Sequence, residues 1–149
     1  MTILGPKLSE PTAKGCGRKL RTLVIDDDKA VADTLAMVLN SEGFEARAVY
    51  SGEQGVELAR LFEFEFLVTG VVMPQMNGID AAIQIRDLLP NCKILLISGN
   101  NDASALLHDA RSRGHRFEIL AKPVHPLVLL QALRSVRPDL DLIDQLATP

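Results

Sequence analysis

The sequence predicts an α/β fold in which a parallel five-stranded sheet is covered by helices on both faces. Short apolar runs without polar alternation, such as 94–97, are typical of strands buried on both sides. Segments with apolar residues at helical spacing separate these runs. Five strands alternating with five helices, joined by right-handed crossovers, form a doubly wound sheet, and 149 residues suit one such domain.

The first half of the chain supplies two strands and two helices. Residues 23–25 form a short buried strand that ends at the acidic run 26–28, and Asp28 can cap a helix over 29–41. Gly43 ends this helix, and the second strand covers 44–49. Ser51 then opens the second helix.

The second half continues the alternation. A third strand starts at 66–68 and breaks at Gly70, and a loop through Pro74 leads to a helix over 79–89. The fourth strand, 94–97, stops at Ser98, and Asp102 can cap a fourth helix that runs to 113. The fifth strand is predicted at 117–120. The last helix is predicted from Pro126 to about 136.

Both termini differ in composition from this alternating region. Residues 1–19 mix glycine and proline with polar side chains, which indicates a flexible arm. The domain is predicted to span 20–137, and 138–149 is predicted to be a C-terminal tail.

Composition excludes several classes of protein. No apolar run approaches the roughly 20 residues of a membrane span, and no secretory signal is recognisable. Cys16 and Cys92 form no paired motif, so we expect a cytoplasmic protein without a disulfide framework. A net charge of −3, no tryptophan and one tyrosine argue against direct nucleic-acid binding.

Residues capable of chemistry follow three strands at the points where they end. Asp26 and Asp27 follow the first strand, Ser98 the fourth and Lys122 the fifth. The carboxyl ends of parallel strands share one edge of the sheet, so these side chains are expected to converge. Paired carboxylates with a main-chain carbonyl from the third loop suit Mg²⁺, and a hydroxyl with an ammonium suits phosphoryl oxygens.

The segments 23–28, 72–78, 95–99 and 120–123 resemble the motifs of the response-regulator receiver domain of bacterial two-component signalling, over about 20–136. The resemblance implies a flavodoxin-like fold with strand order 2-1-3-4-5. It implies that Asp26 and Asp27, with the carbonyl of Val72, hold Mg²⁺. It also implies that Ser98 and Lys122 contact a phosphoryl group.

The sequence departs from that family at the residue that receives the phosphoryl group. The family's acceptor aspartate lies four residues before the proline of the third loop, and Gly70 stands there. Thr69 is adjacent, but neighbouring strand residues face opposite sides of the sheet. The family's aromatic switch position is Ile119 here, with Phe117 as an alternative occupant. Without an aspartate at 70, Lys122 is expected to pair with Asp26 or Asp27.

We therefore predict a stand-alone receiver-like domain of a two-component phosphorelay that is not an enzyme, is not phosphorylated on aspartate and acts through protein–protein interaction. Its partners would be a histidine kinase or an output protein, with a homodimer as an open alternative and only weak Mg²⁺ binding. The fourth helix, fifth strand and fifth helix are the expected interaction surface. The last helix contributes more apolar residues than one buried stripe needs: Leu127, Val128, Leu130 and Leu133.

Two alternative functions remain open. One is a conventional receiver that uses another phosphoacceptor. The other is an enzyme or flavin binder on the same fold, because one fold hosts many functions. No Ser/His/Asp set supports catalysis, and surface or capping roles are expected for His108, His115 and His125.

Overall fold

The computed structural model describes residues 19–99 and 103–136, with five strands and five helices in strict alternation. In chain order these elements are β1 Arg21–Ile25, α1 Lys29–Ser41, β2 Glu45–Val49, α2 Gly52–Leu61, β3 Phe66–Gly70, α3 Gly78–Leu88, β4 Lys93–Ser98, α4 Ala103–Ser112, β5 Glu118–Ala121 and α5 Pro126–Val136.

The five strands form one sheet in the order β2-β1-β3-β4-β5, and every neighbouring pair is parallel. The register places Ile25 opposite Thr69, Gly70 opposite Ile97, and Ser98 opposite Ala121. The carboxyl ends of β1, β3, β4 and β5 therefore meet along one edge of the sheet. The α/β class and the order 2-1-3-4-5 are confirmed.

Two hydrophobic clusters cover the two faces of the sheet. Because side chains alternate along a strand, Leu23 and Ile25 enter one cluster while Val24 enters the other. The first cluster packs against α2, α3 and α4, and the second packs against α1 and α5. The central strand β3 is buried along its whole length, which accounts for its lack of polar alternation.

Capping side chains begin the first three helices. The caps of α1 and α2, Asp28 and Ser51, were predicted from the sequence. Asp28 Oδ1 accepts hydrogen bonds from the N–H groups of Ala30 and Val31 at 3.1 and 3.3 Å. Ser51 Oγ accepts from Gln54 N–H at 3.1 Å, and Asn77 begins α3 in the same way. Asp102, the predicted cap of α4, lies outside the described residues.

The strand boundaries differ from the prediction by one or two residues. β1 begins at Arg21, two residues earlier than predicted, because its backbone pairs with β2 from that point. β5 begins at Glu118, so Phe117 precedes the strand. Gly70 is the last residue of β3 and not a break in it, since it pairs opposite Ile97.

The predicted arm, apart from Lys19, and the predicted tail lie outside the described residues, so both stay predictions. Within residues 19–99 and 103–136, no helix is long and apolar enough to cross a membrane.

Candidate functional site

The three consecutive acids after β1 have different surroundings. Asp26 is buried, with 1% of its surface exposed, whereas Asp27 and Asp28 are exposed. Asp26 Oδ1 accepts a hydrogen bond from the Asp28 N–H at 2.9 Å, and the Asp26 N–H donates to the Val49 carbonyl at 3.2 Å. Asp28 is occupied in capping α1. Asp26 is therefore the acid held at the sheet edge.

Gly70 ends β3 directly beside this carboxylate. A Cβ atom added to Gly70 would lie 3.0 Å from Asp26 Oδ2 and 3.4 Å from Asp26 Cγ, so a side chain at this position would point at Asp26. Thr69 faces the other side of the sheet. Its buried hydroxyl donates to the Gly70 carbonyl at 3.0 Å and lies 3.1 Å from where a Cβ of Gly78 would be. The predicted orientation of Thr69 away from the acids is confirmed.

Lys122, which follows β5, supplies the cation at this edge. Its Nζ lies 2.8 Å from Asp26 Oδ2, so the predicted pairing with one of the two acids is confirmed, and the acid is Asp26. Oδ2 is buried and accepts no directed hydrogen bond, so charge attraction holds the pair together. The lysine side chain is 30% exposed, which leaves it less screened than a surface lysine.

Two contacts with β4 position Lys122. Its backbone N–H donates to the Ser98 carbonyl at 2.9 Å, and its Cδ lies 3.3 Å from where a Cβ of Gly99 would be. The Lys122–Pro123 peptide bond is cis. Ser98 is the last residue of β4 and is partly exposed, between the ends of β3 and β5. Four residues predicted for the site, Asp26, Gly70, Ser98 and Lys122, therefore lie at one edge.

The remaining predicted positions lie on the rim of the edge or beyond it. Val72, whose carbonyl was expected to face a metal, is in the loop after β3 and is 47% exposed. Ile119, the predicted switch position, lies in β5 and is 39% exposed. The ring of Phe117 stacks on His115, with ring centroids 6.4 Å apart, and lies 4.6 Å from Arg86 Cζ. Phe117 is thus held before the strand, and Ile119 presents its surface to solvent.

The acids do not provide a complete magnesium site. Mg²⁺ requires near-octahedral oxygen ligands and usually two or more donors from the protein or its substrate. One oxygen of Asp26 accepts from a backbone N–H, the other contacts the Lys122 ammonium, and Gly70 has no side chain. No group of three or more His, Cys, Asp or Glu side chains suited to an ion occurs in residues 19–99 and 103–136. The donors present do not fit a tightly held Mg²⁺ ion.

A hydrogen-bonded network near the same edge was missed by sequence reasoning. The Tyr50 hydroxyl donates to Asp33 Oδ1 at 2.6 Å, and Lys29 Nζ donates to Asp33 Oδ2 at 3.1 Å and to the Tyr50 oxygen at 3.0 Å. The bond from Tyr50, followed by that from Lys29, lowers the pKa of Asp33. The i,i+4 spacing of Lys29 and Asp33 was a visible signal, but Tyr50 joins them only through the fold.

The surface or capping roles expected for the histidines are seen for His108 and His125, whereas His115 is partly buried. His108 is exposed on α4, and His125 Nδ1 accepts from the Leu127 N–H at 3.1 Å at the start of α5. His115 stacks on Phe117, outside the acidic edge. Cys92 is buried, and burial, followed by the charge of Glu65, raises the pKa of its thiol to about 12.

Comparison with known proteins gives consistent matches. Residues 22–134 match the family model of the response regulator receiver domain. The cell cycle transcriptional regulator CtrA of Caulobacter vibrioides is 28% identical over 117 residues, which cover 78% of this chain and 50% of that protein. The chain thus spans about half the length of the curated relatives it matches.

Solved structures share the fold. The chemotaxis protein CheY4 of Vibrio cholerae superimposes with a TM-score of 0.71 at 22% identity, covering 79% of this chain and 98% of that one. A Burkholderia pseudomallei response regulator with a phosphorylated aspartic acid, a calcium ion and citrate gives a TM-score of 0.70 at 27% identity, covering 88% and 76%. The family match spans most of the chain, and the strand order agrees with that of the similar structures. The chain belongs to the response regulator receiver domain family.

Proposed function

We propose that this receiver domain transmits signals through protein–protein contacts without being phosphorylated on an aspartate. The observation that carries the proposal is Gly70. It stands where the family resemblance places the acceptor aspartate, at the end of β3, and the Asp26–Lys122 pair lies directly against it. Membership of the receiver family follows from the match over residues 22–134, and the loss of the phosphoacceptor is what we propose in addition.

Aspartyl phosphorylation needs a carboxylate nucleophile in the pocket, and the described residues offer no replacement for position 70. Thr69 faces the opposite side of the sheet and is fully buried. Asp80 is exposed in the first turn of α3. Asp26 already pairs with Lys122. These placements weigh against a conventional receiver that uses another acceptor.

An enzyme or flavin binder on the same fold is the second alternative. His108 is exposed on α4, His115 stacks on Phe117 and His125 accepts a hydrogen bond at the start of α5. The one described cysteine, Cys92, is buried with a raised pKa. In the part of the chain that the structure describes, no nucleophile–base pair supports catalysis, and the sequence has no phosphate-binding glycine motif. We propose that the domain is not an enzyme. A bound flavin would give the purified protein a yellow colour, which is a direct check.

Gly70→Asp tests whether the pocket lacks only its acceptor. With acetyl phosphate and Mg²⁺, the new carboxylate attacks phosphorus, an acyl phosphate forms, and acetate leaves with the electrons of the broken P–O bond. We expect hydroxylamine-labile phosphate on Gly70→Asp, measured by intact mass spectrometry. Gly70→Asn is the control of matched shape, and it should remain unlabelled. A folded Gly70→Asp that gains no phosphate would mean that the pocket has lost more than its acceptor, whereas phosphate on the wild type under the same conditions would contradict the proposal.

The proposed partner surface comprises the exposed apolar side chains of β5 and α5. Ile119 is 39%, Leu127 63% and Val128 45% exposed, whereas Leu129 and Leu133 on the same helix are buried. Leu130 is partly buried. The predicted excess of apolar residues on α5 is thus divided between core and surface. A histidine kinase or an output protein is the partner class that we propose for this surface.

Leu127→Glu tests this placement. Because Leu127 is exposed, the substitution should leave the fold intact and abolish binding to the cognate signalling protein in a co-purification assay. Met37 on α1 is 66% exposed, so Met37→Glu is a control matched in exposure and charge. Loss of binding in both variants, or in neither, would refute the placement. Sedimentation of the purified protein would detect a homodimer, and its loss in Leu127→Glu but not in Met37→Glu would assign it to the same surface.

The cytoplasmic location is also a proposal. Immunoblotting of the endogenous protein after cell fractionation checks it, and a membrane fraction would contradict it.

A further inference from the structure

We infer that the Lys122 ammonium is the permanent cation of this pocket and takes the place that a divalent metal would need at Asp26. This inference rests on the pocket assigned under the proposed function, and it adds a specific reason why that pocket would not respond to Mg²⁺.

The first support is the position of the ion pair. Asp26 is 1% exposed, and its Oδ2 atom has Lys122 Nζ at 2.8 Å. A buried carboxylate requires a nearby cation or a set of hydrogen bonds. Oδ1 has one such bond, from the Asp28 N–H, and Oδ2 has the ammonium. A metal ion that binds Oδ2 would lie close to the Lys122 ammonium, and the repulsion between the two cations opposes metal binding while Lys122 stays in place.

The second support is the path of the lysine side chain. β3 and β4 lie between β1 and β5, so Lys122 must reach past the ends of two strands. A glycine stands at the end of each. A Cβ at Gly99 would lie 3.3 Å from Lys122 Cδ, and a Cβ at Gly70 would lie 3.0 Å from the Asp26 oxygen that the ammonium contacts. Gly70 and Gly99 together leave room for the ion pair.

The third support is that few other oxygen ligands for a metal ion lie near Asp26. Asp27 is exposed, and Gly70 contributes no carboxylate. An incoming Mg²⁺ would exchange water for one contested carboxylate, and this ion loses its waters reluctantly. Because the lysine belongs to the same chain, its pairing with Asp26 does not cost the entropy of bringing a free ion to the site. The lysine is therefore favoured over the free ion.

Titration with Mg²⁺ alone tests the inference in the full chain. Wild-type protein should show no saturable heat in calorimetry and no change in melting temperature up to about 10 mM Mg²⁺, where weak single-carboxylate contacts still retain their waters. Lys122→Met should expose Asp26 to the ion, bind Mg²⁺ at least tenfold more tightly and melt at a higher temperature when Mg²⁺ is added.

Two further variants separate this effect from general charge. Lys93→Met removes the same charge from an exposed lysine at the opposite edge of the sheet, and it should behave as wild type. Lys122→Met combined with Asp26→Asn should lose the gained Mg²⁺ response. Absence of a response in folded Lys122→Met would overturn the inference.

A stoichiometric Mg²⁺ site in the wild type would overturn the inference on its own, even if Lys122→Met does not fold. That outcome would leave the proposed function standing, because Gly70 would still lack a nucleophile. Phosphate on the wild type would contradict the proposed function. The inference about Lys122 would still depend on the Mg²⁺ titration alone.

Discussion

Gly78→Ala should destabilise the domain through a backbone collision at the start of α3. A Cβ at Gly78 would lie 1.7 Å from the Gly70 carbonyl oxygen and 2.7 Å from the Gly70 carbonyl carbon. Both atoms belong to the backbone of the central strand, so no side-chain rotation relieves the contact. To restore an ordinary separation, α3 and β3 must move apart by roughly 1 Å or more, which a close-packed interior resists.

The magnitude follows from what this movement disrupts. The Gly78 N–H donates to the Val71 carbonyl at 2.7 Å, and Asn77 caps α3 through the Asp80 N–H at 2.9 Å. Overpacking costs about 1–3 kcal/mol, and loss of a buried hydrogen bond adds about 1 kcal/mol. We expect the free energy of unfolding to fall by about 3 kcal/mol, which lowers the melting temperature by roughly 10 °C in a domain of this size.

Gly52→Ala is the matched control for this variant. Gly52 is also the first residue of a helix and also follows a capping side chain, but its Cβ would meet only the Met76 side chain, at 3.1 Å. The methionine side chain is flexible and can move aside, so the free energy of unfolding of Gly52→Ala should lie within about 1 kcal/mol of the wild-type value. Urea denaturation of the three proteins gives the comparison. If Gly78→Ala were as mild as Gly52→Ala, the close approach of α3 to β3 would be wrong.

Two further predictions concern titratable groups. Tyr50→Phe removes the hydrogen bond that most lowers the pKa of Asp33, so this pKa should rise towards its usual value in an NMR titration, and an unchanged pKa would contradict the network. Because the folded pKa of Asp33 is lowered, its contribution to stability is present above the unfolded pKa and is lost as pH falls through the folded pKa. In Tyr50→Phe this loss should be smaller and should be complete at a higher pH. In a Cys16→Ser variant, Cys92 should react with a disulfide reagent only after unfolding, since burial raises its pKa to about 12; rapid reaction of the folded protein would show that the thiol is accessible.

Local pattern was enough to predict the alternation of strands and helices, because buried strands and helix caps have short-range signatures; the strand order came from the family resemblance. The run 66–68 lacks polar alternation because both faces of β3 are covered, and Asp28 caps the helix that begins at the next residue. Strand ends in a parallel sheet share an edge, so the convergence of Asp26 and Lys122 was also predictable. The largest error in a strand boundary was at β1, because its backbone pairs with β2 from Arg21, two residues before the apolar run begins.

The finer geometry of the site depends on contacts that sequence spacing does not encode. Asp26 and Asp27 are adjacent and chemically identical, and only the fold buries one and exposes the other. The role of Gly99 in leaving room for the Lys122 stem arises between β4 and the segment after β5. Tyr50 reaches Asp33 across 17 positions of sequence, so no periodicity indicates their hydrogen bond.

The central claim, that this pocket receives no phosphoryl group on aspartate, is tested most directly on the unmodified protein. Wild-type protein is incubated with acetyl phosphate and Mg²⁺, and its intact mass is measured before and after treatment with hydroxylamine. With Gly70 at the end of β3 and Asp26 paired with Lys122, we predict that the mass is unchanged throughout. A gain of one phosphoryl group that hydroxylamine removes would contradict the claim.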